Sequence, residues 1–201
     1  MLHLTVDEAR NRFAELGQHT RARPFLLGIA GPPGVGKSTF AESLRAPLLP
    51  MDGYHIANEH LDRLGRRDLK GAPETFDAAG FAVSLRRLRA GESVLAPRFD
   101  RALDEAVAGA IAIDASAPVV VTEGNYLLLS DGPWATVRAL LDEVWFLALD
   151  ETVRRRRLID RHRRFGRSLD DATAWALRVD QPNAELIFST RYRADAVVTV
   201  D

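Results

Sequence analysis

Short apolar runs alternate along the chain with stretches whose apolar residues recur at helical spacing. The runs predict strands at Phe25–Ala30, Leu48–Met51, Ser93–Ala96, Pro118–Thr122, Val144–Leu149 and Ala196–Val200. The helical spacing predicts helices at Lys37–Arg45, Ala78–Ala90, Trp134–Leu141, Glu151–Phe165, Asp170–Val179 and Ala184–Ser189. Successive apolar residues such as Val119–Val121 are typical of strands buried on both faces of a parallel sheet. The pattern therefore predicts an α/β fold, doubly wound, with a mainly parallel sheet flanked by helices.

The amino-terminal segment, residues 1–23, is expected to form a helix of its own. Its apolar residues recur at helical spacing, at Val6, Ala9, Phe13 and Leu16. Thr5 and Glu8 fit a capping box at the start of this helix. We expect the helix to cover the core as a lid. No repeat, low-complexity tract or long linker divides the chain, so we expect one domain over residues 1–201.

Composition narrows the class of protein. The 201 residues include 46% hydrophobic and 27% charged positions, as in an ordinary globular chain. The 27 basic and 28 acidic side chains give a formal net charge of −1, so neither a nucleic-acid partner nor a membrane partner is expected. The chain has no cysteine, which excludes disulfides and thiolate chemistry. Residues 1–23 show no signal-peptide or membrane-span pattern, and we expect a cytoplasmic protein, with a homodimer as an open alternative to a monomer.

A glycine-rich segment after the first long apolar run carries the clearest chemical signal. Residues 31–39 fit the pattern G-x-x-x-x-G-K followed by Ser or Thr, between a predicted strand and a predicted helix. In such a loop the backbone N–H groups surround a phosphate, the lysine reaches the β and γ oxygens and the next hydroxyl binds Mg²⁺. ATP and Mg²⁺ are therefore the expected cofactors. The residues expected to bind them are Gly31, Gly34, Val35, Gly36, Lys37, Ser38 and Thr39.

The loop alone does not name a reaction, because several classes of nucleotide-binding protein share it. Neither lysine of the chain lies in an N-K-x-D motif of regulatory GTPases, and no LSGGQ-like signature of transport ATPases is present. Two carboxylates follow apolar runs, Asp52 and Glu123. Ligands in doubly wound sheets bind beyond the carboxyl ends of strands, so these two could divide the roles of base and Mg²⁺ ligand.

Arginines crowd the predicted helix Glu151–Phe165. Four of them fall on one face, at Arg154, Arg157, Arg161 and Arg164. Three interpretations stay open: a solvated face paired with nearby acids, a nucleic-acid patch, or a lid that brings arginines to a phosphoryl group in transfer.

These residues together resemble the P-loop kinases that include uridine kinase, bacterial pantothenate kinase and phosphoribulokinase. The resemblance depends on residues 31–39, Asp52–His55, Lys70–Asp77, Pro97–Asp100, Glu123–Gly124, the arginine helix and Asp180–Asn183. The chain looks most like a short bacterial branch described as nucleoside or fructose kinase-like.

The resemblance implies a role for each matching residue. It makes Asp52 the catalytic base, assigns Lys37 to the phosphates, and makes Ser38 and Glu123 the Mg²⁺ ligands. It makes Arg157 and Arg161 the lid contacts. It also implies an acceptor pocket lined by Tyr54, His55, Phe99 and Arg101.

The expected function is transfer of the γ-phosphoryl group of Mg·ATP to a hydroxyl of a small metabolite. A sugar or a nucleoside is the preferred acceptor, and pantothenate is a further alternative. A different class also stays open, a nucleotide-binding regulator or slow NTPase that changes conformation for a partner.

Overall fold

The computed structural model describes residues 1–19 and 22–201, except for the side chain of residue 179. The strands are β1 Leu2–Thr5, β2 Phe25–Ala30, β3 Leu48–Pro50, β4 Val94–Asp100, β5 Glu105–Ile113, β6 Val119–Gly124, β7 Glu143–Ala148 and β8 Ala196–Thr199. The α-helices are α1 Val6–Gly17, α2 Lys37–Ser43, α3 Asn58–Arg63, α4 Ala78–Arg89, α5 Val137–Leu140, α6 Glu151–Arg164, α7 Leu169–Trp175 and α8 Gln181–Ser189. Short 3₁₀ helices and one π-helical turn, Ala176–Asp180, complete the elements used below.

Six strands form a parallel sheet in the order β1-β8-β7-β2-β6-β3. All six residues of β6 are buried, and β6 lies between β2 and β3. One face of the sheet packs against α4, α5 and α8, and the other packs against α1 and α2. The predicted fold class, a doubly wound α/β fold with a mainly parallel sheet, is confirmed. The order brings the carboxyl ends of β2, β6 and β3 side by side, which is where a ligand site is expected.

Two strands were missed, and one predicted strand lies elsewhere than in the main sheet. The predicted strand Ser93–Ala96 is the start of β4, which pairs with the unpredicted β5 in a separate antiparallel hairpin. The pairing register shifts between Ala96 and Arg98, around Pro97, because proline has no N–H for the ladder. This hairpin extends over the end of the main sheet where the predicted site residues lie.

The amino-terminal segment was predicted as a helix, but it begins with a strand. β1 pairs in parallel with β8 at the sheet edge, and α1 follows with the predicted capping box of Thr5 and Glu8 present. Ala9 of α1 is fully buried against the sheet, so the helix is part of the second core layer. Residues 20 and 21 of the predicted segment lie outside the described residues. Among the helices that the structure describes, none is long and apolar enough to cross a membrane.

Candidate active site

A cavity of about 1350 Å³ opens at the carboxyl ends of the sheet strands. The loop between β2 and α2 forms its floor, and the β4–β5 hairpin and α6 form walls on two sides. Most of the predicted site residues line it: the loop residues from Gly34 to Thr39 together with Asp52, His55, Phe99, Arg101, Glu123, Arg157 and Arg161. The structure therefore brings predicted site residues from five separate chain segments to one cavity.

The loop of residues 31–38 has the backbone that its glycines predict. Gly34 and Gly36 have φ values of 84° and 97°, in the left-handed region that favours glycine. Gly36 also precedes the first residue of α2, so the amino end of this helix faces the cavity. Val35 is buried in the second core layer, which anchors the loop to the sheet. Gly31 lies behind the loop against Leu147 and is not part of the cavity lining.

Lys37 is the first residue of α2, directly after the glycines of the loop, and it is buried. Its Nζ donates to the carbonyl oxygen of Pro32 at 3.1 Å. Burial lowers the pKa of Lys37 to about 8, and the charges of Glu123 and Asp52 oppose this shift. Burial takes water away from the ammonium group and disfavours its positive charge. Negatively charged phosphate oxygens would stabilise that charge, so the group is suited to bind a polyphosphate.

Ser38 and Glu123 lie together beside the lysine. The hydroxyl of Ser38 donates to Glu123 Oε1 at 3.2 Å. Burial, reinforced by the nearby charge of Asp52, raises the pKa of Glu123 to about 7. Among the described residues no group of three or more acidic or histidine side chains could hold a metal by itself. The pair fits Mg²⁺ nonetheless, since this ion takes one or two protein oxygens and completes its shell with water and substrate phosphates.

Asp52 occupies a 3₁₀ helix, Met51–Tyr54, directly after β3. Its carboxylate lies 3.5 Å from Nη2 of Arg101, which reaches across from the hairpin. Asp52 is close enough to Glu123 and Lys37 for its charge to shift the pKa of both. The carboxylate thus stands between the phosphate loop and the hairpin side of the cavity.

His55 is held between two phenylalanine rings on the hairpin side. The ring centroid of Phe76 is 4.0 Å away and that of Phe99 is 4.6 Å away. Its Nδ1 lies 2.7 Å from the backbone oxygen of Asp52, so Nδ1 carries the proton in the neutral ring. Burial lowers the pKa of His55. The other nitrogen, Nε2, is therefore a hydrogen-bond acceptor at the cavity.

Tyr54 does not join the predicted acceptor pocket. Its ring is buried edge-on against Phe81, and its hydroxyl bonds to the hydroxyl of Ser84 at 2.7 Å. The 3₁₀ turn directs Tyr54 and His55 to opposite sides, so only the histidine lines the cavity. Assignment of both neighbours to one pocket was therefore wrong for Tyr54, because the backbone turn decides which of two adjacent side chains faces the cavity.

Lys70 is a cavity residue whose role the sequence did not predict. Its ammonium bonds to the side chain of Asn58 and to Asp104 at the hairpin tip, and lies 5.1 Å from the centroid of Phe99. Arg67 also bonds to Asp104, at 3.1 Å. These contacts join the segment after α3 to the hairpin, so both close the same end of the cavity. The sequence pointed to Lys70 only through the segment 70–77, which resembles the family. Its contact with Asp104 could not be predicted, because the two residues are 34 positions apart.

The arginine-bearing helix α6 contributes unequally to the cavity. Arg161 lines it, and burial together with the charge of Arg101 lowers the pKa of its guanidinium. Arg157 also lines it but is exposed, and donates to the backbone oxygen of Asp201 at 2.6 Å. Arg154 was predicted on the same face, yet it is fully buried and does not line the cavity. Of the four arginines on the predicted face, Arg154 is thus directed into the protein, whereas Arg157 and Arg161, the expected lid contacts, both line the cavity.

Two further contacts hold the end of α6 and the segment that follows it. His162 Nε2 lies 2.7 Å from a carboxylate oxygen of Asp180, which the π-helical turn directs into the cavity wall. Arg167 stacks on Trp175, with its guanidinium 4.0 Å from the ring centroid. π-helical turns frequently mark functional sites because the extra residue redirects a side chain. The sequence alone does not show such a turn.

The ion pairs of Glu151, the first residue of α6, should make the free energy of unfolding depend on pH in the acid range. Its hydrogen bond with Arg154 is the main cause that lowers the pKa of Glu151 from 4.5 to about 2. The folded state therefore binds this proton more weakly than the unfolded chain, so the stabilisation is present above about pH 4.5 and is lost as the pH falls towards 2. In urea unfolding we expect Glu151→Gln to lower stability at about pH 6 and the difference from the parent to shrink at about pH 3. An equal difference at both pH values would contradict the pairing.

Comparison with known proteins identifies the family of the chain. The chain is 35% identical over 175 residues to the "Putative uridine kinase C227.14" of Schizosaccharomyces pombe, covering 79% of this chain and 74% of that protein. It is 27% identical over 244 residues to a pantothenate kinase of Paenarthrobacter aurescens, covering 100% of this chain and 76% of that protein. No family model matches the chain.

Solved structures show the same likeness. A structure described as a putative fructose transport system kinase from Silicibacter sp. TM1040 superposes with a TM-score of 0.88 at 34% identity, covering 96% of this chain and 98% of that one. The fold and the phosphate loop define a P-loop kinase. The chain belongs to the family that includes uridine kinase and pantothenate kinase, as its sequence resemblance predicts.

Proposed function

We propose that this protein transfers the γ-phosphoryl group of Mg·ATP to a hydroxyl of a small polyhydroxylated metabolite of the sugar class. The observation that carries the proposal is the position of Asp52, between the phosphate loop and the hairpin side of the cavity. We call this side the chamber; it is lined by His55, Lys70, Phe76, Phe99 and Arg101. A carboxylate there can accept the proton of an acceptor hydroxyl as its oxygen attacks the γ-phosphorus.

The reaction needs four contributions from the chain. The loop N–H groups and Lys37 would hold the β- and γ-phosphates. Ser38 and Glu123 would supply the protein oxygens for Mg²⁺, which neutralises phosphate charge when bound. The acceptor oxygen forms its bond to the γ-phosphorus, the bond from that phosphorus to the ADP oxygen breaks, and Asp52 takes the proton. Arg161 lines the cavity, and no described residue bonds to its guanidinium. The guanidinium can therefore stabilise the charge on the transferred phosphoryl group.

The aromatic groups of the chamber favour a sugar over a nucleoside. His55 covers one face each of Phe76 and Phe99, Phe76 makes a T-shaped contact with Tyr126, and the Lys70 ammonium lies near Phe99. A nucleobase stacks on a free aromatic face, and His55 already covers one face of both phenylalanines in this part of the cavity. The remaining groups are hydrogen-bonding side chains, which suit the hydroxyls of a sugar. The likeness to a kinase described by fructose transport supports the same preference.

An acceptor panel tests the proposal directly. We expect ADP release from Mg·ATP to rise with one or more sugars and to stay near background with nucleosides and pantothenate. A nucleoside as the best acceptor would overturn the sugar assignment but keep the kinase. Hydrolysis that no acceptor increases would instead favour the slow NTPase or regulator. The expected lack of nucleic-acid and membrane partners and the homodimer stay predictions.

Replacement of His55 should affect the acceptor and not the nucleotide. His55→Phe keeps the stack between Phe76 and Phe99 but removes Nε2, the hydrogen-bond acceptor at the cavity, together with the Nδ1 bond to the backbone oxygen of Asp52. Loss of one hydrogen bond to a hydroxyl raises the acceptor KM by up to about tenfold, while the KM for ATP stays near that of the parent. Tyr54→Phe is the matched control, since it removes a hydroxyl of the adjacent residue that bonds only in the core. Equal acceptor KM values for parent and His55→Phe would exclude His55 from recognition.

A further inference from the structure

Arg154 is a buried arginine at the start of α6 that the proposed reaction does not use. Its side chain is only 1% exposed, which is rare for arginine unless its guanidinium is fully paired. Nε and Nη2 bind the carboxylate of Glu151 at 2.8 and 2.6 Å, and Nη2 also donates to Gln181 Oε1 at 2.9 Å. Nη1 donates to the backbone oxygen of Pro33 at 2.9 Å. One guanidinium thus joins α6, α8 and the phosphate loop.

The bond to Pro33 determines where the next N–H points. The chain has no cis peptide among its described residues, so the carbonyl of Pro33 and the N–H of Gly34 point in opposite directions across one planar peptide. Arg154 holds that carbonyl on the buried side of the loop, whereas Gly34 lines the cavity. The Gly34 N–H therefore faces the place where a loop of this kind binds phosphate.

The same turn of α6 supports the loop by direct contact. A Cβ on Gly34 would lie 2.7 Å from Cγ of Leu158 and 3.1 Å from the backbone oxygen of Arg154. Only a glycine fits there, so the loop tip rests on the helix without a gap. Since Arg161 is on the same helix two turns further on, a shift of α6 would move both the loop tip and Arg161.

We propose that Arg154 is a positioning residue: it holds the Pro33–Gly34 peptide with its N–H towards the nucleotide and couples the arginine-bearing helix to the phosphate loop. The inference rests on the proposed function only in taking a nucleotide with a β-phosphate as the ligand. Without the guanidinium the Pro33–Gly34 peptide can rotate, and the loop then binds the β-phosphate more weakly.

The affinities for ADP and AMP, measured by calorimetry with Mg²⁺, test this role. ADP has the β-phosphate that the loop binds and AMP lacks it. The ratio of the two affinities therefore measures how strongly the loop binds the β-phosphate. We expect this ratio to fall at least about tenfold in Arg154→Met, as for loss of a hydrogen bond from a charged donor. Arg155→Met is the matched control, because Arg155 also bonds to Glu151 but does not touch the loop; its ratio should stay within about twofold of the parent.

Two more variants separate positioning from general support of the fold. Glu151→Gln breaks the ion pair of Arg154 but leaves its bond to Pro33, so it should lower stability and keep the ADP-to-AMP ratio. Arg154→Lys has one ammonium for three partners, and its ratio should fall between those of Arg154→Met and the parent.

The proposal is overturned if Arg154→Met keeps the parent ratio, or if Glu151→Gln lowers the ratio equally. If Arg154→Met does not fold, Arg154→Lys decides: a fall of about threefold or more supports the role, and a parent ratio rejects it. Failure of every acceptor in the kinase assay would count against the proposed function alone, since the ratio needs no acceptor.

Discussion

Replacing Asp52 by asparagine should lower kcat by about 10²- to 10⁴-fold, the usual contribution of a general base. The amide keeps the shape of the side chain but cannot accept the proton of the attacking hydroxyl. Binding of Mg·ATP should change far less, because the phosphate loop makes the main contacts. The measurement is steady-state turnover with the best acceptor of the panel, together with the affinity for ADP.

Asp131→Asn gives the control for this experiment, since Asp131 is exposed and lies outside the cavity lining. It should retain the activity of the parent. Near-parental kcat in Asp52→Asn would remove Asp52 as the base. A parallel loss of ADP affinity would instead place Asp52 among the nucleotide contacts.

Replacing Lys37 should have the second large effect, on the nucleotide itself. Lys37→Met keeps the length and the apolar part of the side chain but removes the ammonium, and Lys37→Ala removes the side chain altogether. Both should weaken Mg·ATP binding by at least about a hundredfold, because a charge-assisted contact to the phosphates is lost in a site of low exposure. Turnover should fall below detection.

Stability should move differently in the two lysine variants. Burial already disfavours the charged form of Lys37, as its lowered pKa shows. Methionine in the same place avoids that cost, so Lys37→Met should unfold at the same temperature as the parent or higher. Lys37→Ala leaves a void and should unfold lower. If both variants keep the parent's ATP affinity and rate, the loop is not the phosphate site.

Much of the site was predictable because its chemistry follows from local sequence. The loop 31–39 carries its own backbone requirements in its glycines, and its position between strand and helix follows from the hydrophobic pattern. Asp52 and Glu123 were predictable because parallel strands bring their carboxyl ends to one edge. The two carboxylates are 71 positions apart, but Glu123 lies in β6 and Asp52 closely follows the adjacent strand β3.

Other parts of the fold were not predictable from local pattern. β5 is rich in alanine and glycine, which have little strand preference, and it forms because β4 pairs beside it. β1 is a strand of four mostly exposed residues that exists through its pairing with β8. In both cases the partner strand, distant or adjacent, supplies the hydrogen bonds that decide the structure.

The sequence by itself determined the α/β class, the phosphate loop and the two carboxylates, because each depends on spacing or on residues close together in the chain. The tertiary structure alone decided which neighbours of these residues reach the cavity. The backbone turn directs the side chain of Tyr54 towards the core and that of His55 towards the chamber. The tertiary structure also places Lys70 beside the hairpin tip. It also separated Arg154 from Arg161 on one helix, because the phosphate loop packs against the first turns of α6 and leaves its later turns open to the cavity.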